Sequence, residues 1–385
     1  MENNESVFSL LVSFVVYVVG FLYLRSYKFS FQTTSLRIFA LYTWHTLYCI
    51  IYLIYSKHNI SDSTTYYEES LLEDVSLALG TDFVTFFASL LTKNLEFSYL
   101  NVFMIFNIIG ALGLIAFDSS IKHALKNNKN SFKIFLISNI SYLPSISFWS
   151  SALGKDAISF LAISLALWAS LSLGRRWLLM LFSIILMLLV RPHISGIMII
   201  SLAFVIFYRS NAISDLKKYM LAFATMLGIF FTVPFALDYS GLGREISFQI
   251  INEYIQTRQS FNQEGGGGID ISQMSLPTQL FTYVFRPLPF EIQGFAALAA
   301  SFDNIILMAI FVYALICFFS RRINPICNLS NKLFMIIYAV ITWIILAMTT
   351  ANLGISIRQK WMFLPMLLFV AISLIAAANP ARSKI

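Results

Sequence analysis

The strongest constraint on this sequence is a series of apolar runs, long enough to cross a membrane, that recurs from one end of the chain to the other. A helix needs about 20 apolar residues to span the hydrocarbon core of a bilayer. With 58% hydrophobic and only 12% charged residues, a water-soluble protein of this length would expose a large apolar surface. We therefore predict an all-α fold, a polytopic transmembrane helical bundle in which residues 1–385 form a single membrane domain. We expect about eleven spans, at residues 7–24, 36–55, 99–117, 133–149, 157–173, 177–190, 194–208, 219–237, 296–319, 333–350 and 361–378.

The basic residues predict the orientation of these spans. When successive loops are placed alternately on two sides of the membrane, most of the 26 Lys and Arg residues fall on one side. The positive-inside rule assigns that side to the cytoplasm, so the N-terminus is external and the C-terminus is cytoplasmic. The acidic residues fall on the external side, apart from Asp118, Asp215 and Asp303.

The segment around Arg191 leaves two topologies open. About 14 apolar residues precede it and about 15 follow it, so each half is short for a span. The two halves are either two short spans or one re-entrant hairpin. In both cases the flanking loops stay cytoplasmic, and the predicted orientation of the chain is unchanged.

Two external loops are long enough to contribute to a functional site, whereas every predicted cytoplasmic loop has about 15 residues or fewer. The first, residues 56–98, is acidic, and its apolar stretch 83–91 (FVTFFASLL) predicts a short helix at the membrane interface. The second, residues 238–295, contains the glycine run 265–268, which is typical of a flexible lid. We therefore expect the functional surface on the external face.

The charge pattern and the metal-binding residue types argue against several function classes. The formal charge of +7 is dispersed among membrane loops, so we expect no nucleic-acid binding. The four histidines and three cysteines lack the spacing of metal ligands or of a disulfide framework. We expect no cofactor and no such metal site, and a divalent cation bound by carboxylates alone stays an open alternative.

Four external segments place a cation beside a Gly or Pro at the end of a span. The cations are Lys155, Arg191, Arg286 and Arg358. A charge beside hydrocarbon is costly and is usually kept for a partner or a function, and the guanidinium group of Arg binds phosphate through two hydrogen bonds. We predict that these residues bind the diphosphate of a lipid carrier and stabilise it as a leaving group. The alternative is that each cation is an interface anchor, which reaches lipid headgroups or pairs with a carboxylate.

Five external residues are candidates for a general base, which a hydroxyl nucleophile requires within hydrogen-bond reach. They are Asp62, Asp82, Asp156, His193 and Glu291. The alternative roles are structural. Asp62 and Asp82 would then simply be solvated. Asp156 would pair with the adjacent Lys155 or cap the helix that follows, and His193 would donate to a backbone carbonyl.

The predicted location restricts the reaction class. An enzyme outside a bacterial cytoplasm has no supply of nucleotide sugars or ATP, so its substrate must already be activated on a membrane carrier. Polyprenyl-linked sugars fit the combination of many spans, external cations and external carboxylates. This step takes a bacterial source as its premise.

Four short segments carry a resemblance to a known family. They are residues 148–156 (FWSSALGKD), 190–193 (VRPH), 285–291 (FRPLPFE) and 352–360 (NLGISIRQK). Taken in order, they resemble segments of bacterial polysaccharide repeat-unit polymerases of the O-antigen (Wzy) type and related multi-span glycosyltransferases. The resemblance implies a helical protein of the bacterial inner membrane with a large periplasmic loop, which acts on undecaprenyl-diphosphate-linked glycans without a metal. It also matches Arg191, Arg286 and Arg358 to the external arginines of such enzymes.

The resulting hypothesis is an O-antigen or surface-polysaccharide polymerase, which transfers the growing glycan from its lipid diphosphate to the next lipid-linked repeat unit. Its partners would be the lipid-linked oligosaccharide, the lipid bilayer, a chain-length regulator and a flippase. The acidic first loop is also similar to that of transferases that move single sugars from polyprenyl phosphate, which is the first alternative. The second is a flippase or transporter for a lipid-linked oligosaccharide, which would need buried charges along a central path, whereas only His45 and Asp303 interrupt the predicted spans.

Overall fold

The computed structural model describes residues 6–126, 132–208, 216, 219–220, 223, 226, 248–263, 267–271, 273–291, 295–320 and 332–378. Within these residues the chain is mostly helical and forms no β-strand, which confirms the predicted all-α fold. The helices are α1 Val7–Ser26, α2 Ser35–His58, α3 Asp62–Ser70, α4 Thr81–Leu95, α5 Tyr99–Ala124, α6 Phe132–Ser138, α7 Pro144–Ser150, α8 Lys155–Ser170, α9 Leu173–Val190, α10 Pro192–Tyr208, α11 Phe248–Gln263, α12 Leu276–Phe285, α13 Phe295–Phe319, α14 Lys332–Thr349, α15 Leu353–Gln359 and α16 Leu364–Ala378. Short 3₁₀ helices lie at Ile140–Tyr142, Pro289–Glu291 and Lys360–Met362.

Six helices in the described part of the chain are long and apolar enough to cross a membrane. They are Val7–Ser26, Ser35–His58, Tyr99–Ala124, Leu173–Val190, Ala297–Phe319 and Lys332–Thr349. Two helix pairs meet the same criteria together but are bent, by 118° between α7 and α8 and by 65° where Leu353–Met362 meets α16, so that up to eight spans are present. These helices confirm the expected class, a multi-pass helical membrane protein. The predicted span 219–237 lies almost wholly outside the described residues, as do residues 238–247 of the second external loop.

Helix α5 is the central element of the bundle and packs against α1, α2, α7 and α8. Its sequence is apolar along most of its length, and a capping box of Ser98 and Asn101 begins it by pairing backbone amides that would otherwise lack partners. Gly110 allows α7 to approach closely, because a Cβ atom there would lie 1.9 Å from the carbonyl oxygen of Ser150. Helix α7 and the break after it are therefore held against the core.

An ion-pair cluster joins the helices at one end of α5. Asp118 is buried and accepts hydrogen bonds of 2.7 and 3.3 Å from Arg37. Lys122 lies 3.0 Å from the same carboxylate, and Arg37 also donates to Asn139 at 2.8 Å. Both oxygens of the buried carboxylate are therefore paired, as a buried charge requires. Since the paired residues lie on different elements, they connect α2, α5 and the segment after α6.

The loop of residues 56–98, for which the sequence predicts an external position, folds into helices α3 and α4 at the end of α2 that is opposite Arg37. Helix α4 contains the stretch 83–91, for which the sequence predicts a helix. Its Val84 and Ala88 are fully buried in an apolar cluster that includes Phe103 and Phe106 of α5. The loop is therefore a folded segment that covers this end of the bundle, and one face of α4 packs against the protein.

Helix breaks occur where Gly, Pro or polar residues interrupt the apolar sequence. Gly154 separates α7 from α8, and Arg191 separates α9 from α10, which begins with Pro192 in the position where a helix tolerates proline best. Helix α9 is long enough to be a span, whereas the apolar part of α10 is shorter. Each break brings a charged side chain to the end of a helix, where backbone groups lack helical partners.

Part of the glycine run is docked on the rest of the chain. Gly268 forms an antiparallel bridge with Asn352, and the backbones of residues 267–269 and 351–353 exchange hydrogen bonds of 2.9 Å. Gly267 has a φ of +95°, which residues with a side chain rarely adopt. The glycines at 265–266 lie outside the described residues, and the prediction of a lid stays a prediction for them.

Candidate functional site

Charged side chains from helix breaks and from the loop of residues 56–98 converge at one end of the bundle. They are Asp62, Lys155, Asp156, Arg191 and Arg358, and together we call them the charge cluster. Asp62 begins α3, and Lys155 and Asp156 begin α8. Arg191 follows α9, and Arg358 lies near the end of α15. All five are residues that the sequence predicts for the site.

Asp156 is the centre of the charge cluster, because both of its carboxylate oxygens pair with guanidinium groups. Arg191 Nη2 lies 2.7 Å from Oδ1, and Arg358 Nε donates to Oδ2. The position of Asp156 in the first turn of α8 favours a negative charge, because backbone amides point toward it. Its ion partners are therefore two arginines that are distant in sequence, and not the adjacent Lys155.

Arg358 joins two carboxylates of different exposure. Its Nη2 lies 2.6 Å from Oδ2 of Asp62, while its Nε donates to Asp156. The Asp62 side chain is 54% exposed and that of Asp156 only 13%. Asp62 is therefore the carboxylate of the charge cluster that a ligand can reach most easily. The pKa of the neighbouring Tyr66 is raised, mainly by burial and also by the negative charge of Asp62.

Lys155 adds a cation to the charge cluster without a carboxylate of its own. Its ammonium group donates to the Thr81 hydroxyl in α4 at 3.0 Å and forms no ion pair with the residues that the structure describes. It also interacts electrostatically with all four other members of the charge cluster, repelled by Arg191 and Arg358 and attracted by Asp156 and Asp62. The charge cluster therefore has three cations and two carboxylates, and this excess of positive charge favours an anionic ligand.

His193 lies beside the charge cluster, in the first turn of α10. It interacts electrostatically with Arg191, with Lys155 and with Arg258 of α11. This candidate base therefore has three cations near it, one of which, Arg258, comes from α11 in the loop of residues 238–295.

Arg286 and Glu291 form a separate ion pair after α12. Their side chains are joined by contacts of 2.7 and 3.0 Å, and the Leu288 amide donates to Glu291 at 2.9 Å. Burial pushes the pKa of Glu291 up, but the hydrogen bonds from Arg286 and Leu288 outweigh it, and the net pKa is lowered. Within the described residues no ion pair or hydrogen bond joins this pair to the charge cluster, so the structure does not bring these two predicted residues into it.

Asp82 is exposed in the first turn of α4, next to Thr81, the residue that accepts a hydrogen bond from Lys155. The amino end of a helix favours a carboxylate at this position. Asp82 therefore borders the charge cluster through its neighbour in sequence, and within the described part of the chain it forms no ion pair with the cluster.

A small pocket lies against Asp156 and Arg358. Its other walls are mostly apolar or aromatic and consist of Ile146, Trp149, Ser150, Phe160, Trp361 and Met362. The centre of a water molecule can reach about 10 Å³ of it, roughly the space that one water molecule needs. The pocket therefore takes a single small polar group, and a larger ligand has to extend out of it.

Sequence reasoning missed a buried lysine next to the charge cluster. Lys360 is fully buried, and its ammonium group donates to the Val284 carbonyl at 3.3 Å and to the Asn304 side chain. Asn304 donates in turn to the Pro287 carbonyl at 3.0 Å. This network connects the chain just after Arg358 to α12 and α13. The signal that could have found Lys360 is its position at the start of an apolar run, the same signal that singled out the predicted cations.

The fold and the charge cluster define a multi-pass helical membrane protein with a net-positive site at one end of its bundle. Among the residues described, no group of three or more His, Cys, Asp or Glu side chains is arranged to hold a metal ion. No family model, no curated protein and no solved structure matches the chain. The chemistry of the charge cluster is therefore the main evidence for function.

Proposed function

We propose that this chain is a glycosyltransferase of the bacterial inner membrane that polymerises undecaprenyl-diphosphate-linked repeat units of a surface polysaccharide. The proposed topology has about eleven spans, an external N-terminus and a cytoplasmic C-terminus. Helix α2 begins near the basic Arg37 and ends just before Asp62, so its two ends carry the two groups of charges. The positive-inside rule supports an orientation in which Arg37 faces the cytoplasm and the charge cluster faces the periplasm.

The observation that carries this proposal is the excess positive charge of the charge cluster. Lys155, Arg191 and Arg358 come from separate segments, and two carboxylates balance them only in part. A partly buried cation in excess is stabilised by an anionic ligand, and a diphosphate offers several oxygens to guanidinium groups. The resemblance of the surrounding segments to repeat-unit polymerases supports undecaprenyl diphosphate as that anion.

In the proposed reaction, a hydroxyl group of the acceptor repeat attacks the anomeric carbon of the donor sugar. The new C–O bond forms while the bond from the anomeric carbon to the diphosphate oxygen breaks, and undecaprenyl diphosphate leaves with the electron pair. Asp62 accepts the hydroxyl proton, because it is the most accessible carboxylate of the charge cluster. Lys155, Arg191 and Arg358 stabilise the leaving diphosphate. Asp156 is a positioning residue that holds both arginines.

A single-sugar transferase that uses polyprenyl phosphate is the second candidate. The contact of Asp62 with Arg358 fits it equally well, because the acidic first loop supplies the exposed carboxylate of the site in both reactions. In that case the donor carries one phosphate group instead of two. Loss of such an enzyme would change the composition of the repeat unit and not the number of repeats.

Deletion of the gene tests the proposed polymerase. We expect surface glycan with at most one repeat unit, which a gel shows as loss of the ladder of chain lengths. An unchanged ladder would reject the proposal, and a ladder of altered repeat composition would favour the single-sugar transferase.

Complementation of the deletion strain tests the role of Arg358. Arg358→Ala should lower the amount of polymer at least about 100-fold, because the leaving diphosphate loses a charged donor. Arg25→Ala is the matched control, because Arg25 is an exposed arginine at the other end of the bundle, in the last turn of α1. The control should restore the ladder. A normal ladder from Arg358→Ala would remove this arginine from the mechanism.

A further inference from the structure

The pocket beside the charge cluster combines aromatic walls with an ion pair. It is far smaller than a site for a whole ligand, so it suits one group of a larger ligand. Asp156 and Arg358 are its charged lining residues, and Trp149 and Trp361 line it as well. Trp149 is partly exposed and makes an edge-to-face contact with Phe148, with ring centroids 5.0 Å apart. Trp361 is only 3% exposed. A ligand on the surface can therefore reach Trp149 first and extend from there toward Trp361.

Trp361 lacks the hydrogen bond that a buried indole normally makes. Its Nε1–H group is buried and donates to no acceptor among the described residues, although a buried Trp usually finds one. An unsatisfied buried donor lowers stability, and a ligand that brings an acceptor removes that penalty. Trp361 lines the pocket, so a ligand oxygen bound there could supply the missing acceptor.

We infer that the pocket is the subsite for the first sugar of the lipid-linked donor, with Trp361 donating to a hydroxyl oxygen of that sugar. This inference rests on the proposed function and deepens it. The pocket accepts about one water-sized group, which matches a hydroxyl group but not a pyranose ring or a phosphate group. The ring then lies on the partly exposed Trp149, whose apolar face suits the C–H face of a sugar.

The charges of the pocket favour a hydroxyl group over a phosphate oxygen. A hydroxyl group both accepts and donates, so it can accept from Trp361 or Arg358 and donate to Asp156. A phosphate oxygen at neutral pH mainly accepts, and the carboxylate of Asp156 repels it. The diphosphate therefore lies on the cationic side of the charge cluster, near Lys155, while the sugar hydroxyl enters the pocket.

Trp361→Phe tests the subsite, because it removes the N–H group and keeps an aromatic ring. The full-length protein in lipid nanodiscs is titrated with two probes. One is the lipid-linked glycan extracted from the deletion strain, and the other is undecaprenyl diphosphate without a sugar. We expect Trp361→Phe to bind the glycan-bearing probe roughly fivefold to tenfold more weakly and to bind undecaprenyl diphosphate with unchanged affinity.

Trp44→Phe is the matched control. Trp44 also has a buried N–H group with no acceptor among the described residues, but it lies in α2 against Tyr48 and Tyr142 and does not line the pocket. The control should bind both probes as the wild-type protein does. Trp149→Ala, at a partly exposed position, is a second variant that does not depend on the folding of Trp361→Phe. It should also weaken binding of the glycan-bearing probe alone.

Each remaining outcome has a distinct meaning. Wild-type affinity of Trp361→Phe and Trp149→Ala for both probes would overturn the sugar subsite and leave water as the occupant of the pocket. Equally weakened binding of both probes would mean that the indole N–H binds phosphate, and this result would also overturn the sugar subsite. A wild-type protein that binds neither probe would reject the proposed function itself, and the inference with it.

Discussion

The two carboxylates of the charge cluster share Arg358 but differ in depth, and this difference separates their roles. Asp156 is largely buried and also pairs with Arg191, whereas about half of the Asp62 side chain is exposed. Removal of one partner from a buried ion pair leaves an uncompensated charge and is strongly destabilising. An exposed ion pair contributes little to stability. The same substitution should therefore have different effects at these two positions.

Asp156→Asn should lower the free energy of unfolding by about 3 kcal/mol, because two arginines lose the carboxylate between them. Asp62→Asn should change it by less than about 1 kcal/mol and still abolish polymer formation. Thermal unfolding in detergent measures the first effect, and the glycan ladder measures the second. An Asp62→Asn variant with a normal ladder would show that Asp62 is not the base.

Lys360 and Asn304 form a buried pair in which the two partners should differ in importance. Lys360 also interacts electrostatically with the buried Asp303. Lys360→Met leaves this carboxylate without its cation and leaves acceptors without a donor, which should cost about 3 kcal/mol of unfolding free energy. Asn304→Leu keeps the cation beside Asp303 and removes one hydrogen-bond acceptor, which should cost about 1–2 kcal/mol. Thermal unfolding of both variants checks the order. If Asn304→Leu were the more destabilising substitution, the attraction between Lys360 and Asp303 would contribute little to stability.

At the scale of helices, the sequence identifies the breaks but not the contacts between them. A Gly or Pro near a charge singled out Lys155, Arg191 and Arg358. At Lys155 and Arg191 this pattern coincides with a helix break, whereas Gly354 and Arg358 both lie inside α15. The pairing itself joins Asp156 to residues 35 and 202 positions away, and only tertiary packing determines such distances. Arg286 has the same local pattern, yet its partner Glu291 lies five residues away. The pattern therefore predicts candidates and not their partners.

Gly267→Ala should weaken the docking of the glycine run on the segment before α15. Its φ of +95° should cost a side-chain-bearing residue about 1–2 kcal/mol. Backbone amide exchange of residues 267–269 and 351–353 should therefore become roughly fivefold to thirtyfold faster, as hydrogen-exchange mass spectrometry can measure.

Gly154→Ala is the control for this effect. Gly154 has an extended backbone, and a Cβ atom there would make only an ordinary contact of 3.6 Å with Tyr66. Exchange in residues 267–269 should not change in this variant. Unchanged exchange in Gly267→Ala as well would mean that the docked pairing does not depend on the glycine.

At the scale of the whole molecule, composition and apolar runs are sufficient to predict an all-helical membrane protein. They are less informative about the pocket. Aromatic residues are 16% of the chain, so nothing in the sequence distinguishes Trp361 from the aromatic residues that face lipid or fill the core. The count of eleven spans and the orientation stay predictions, because the described residues contain six to eight candidate spans.

The proposed function depends most on the side of the membrane that the charge cluster faces. Helix α2 has 24 residues and is about 36 Å long, so the exposed Phe29 before it and the exposed Ile60 after it lie on opposite sides of the bilayer. The measurement is labelling of Phe29→Cys and Ile60→Cys with a membrane-impermeant maleimide in intact spheroplasts, in a background without the native cysteines. We expect Ile60→Cys to be labelled at once and Phe29→Cys only after permeabilisation. The reverse result would place the charge cluster in the cytoplasm and contradict the proposed chemistry.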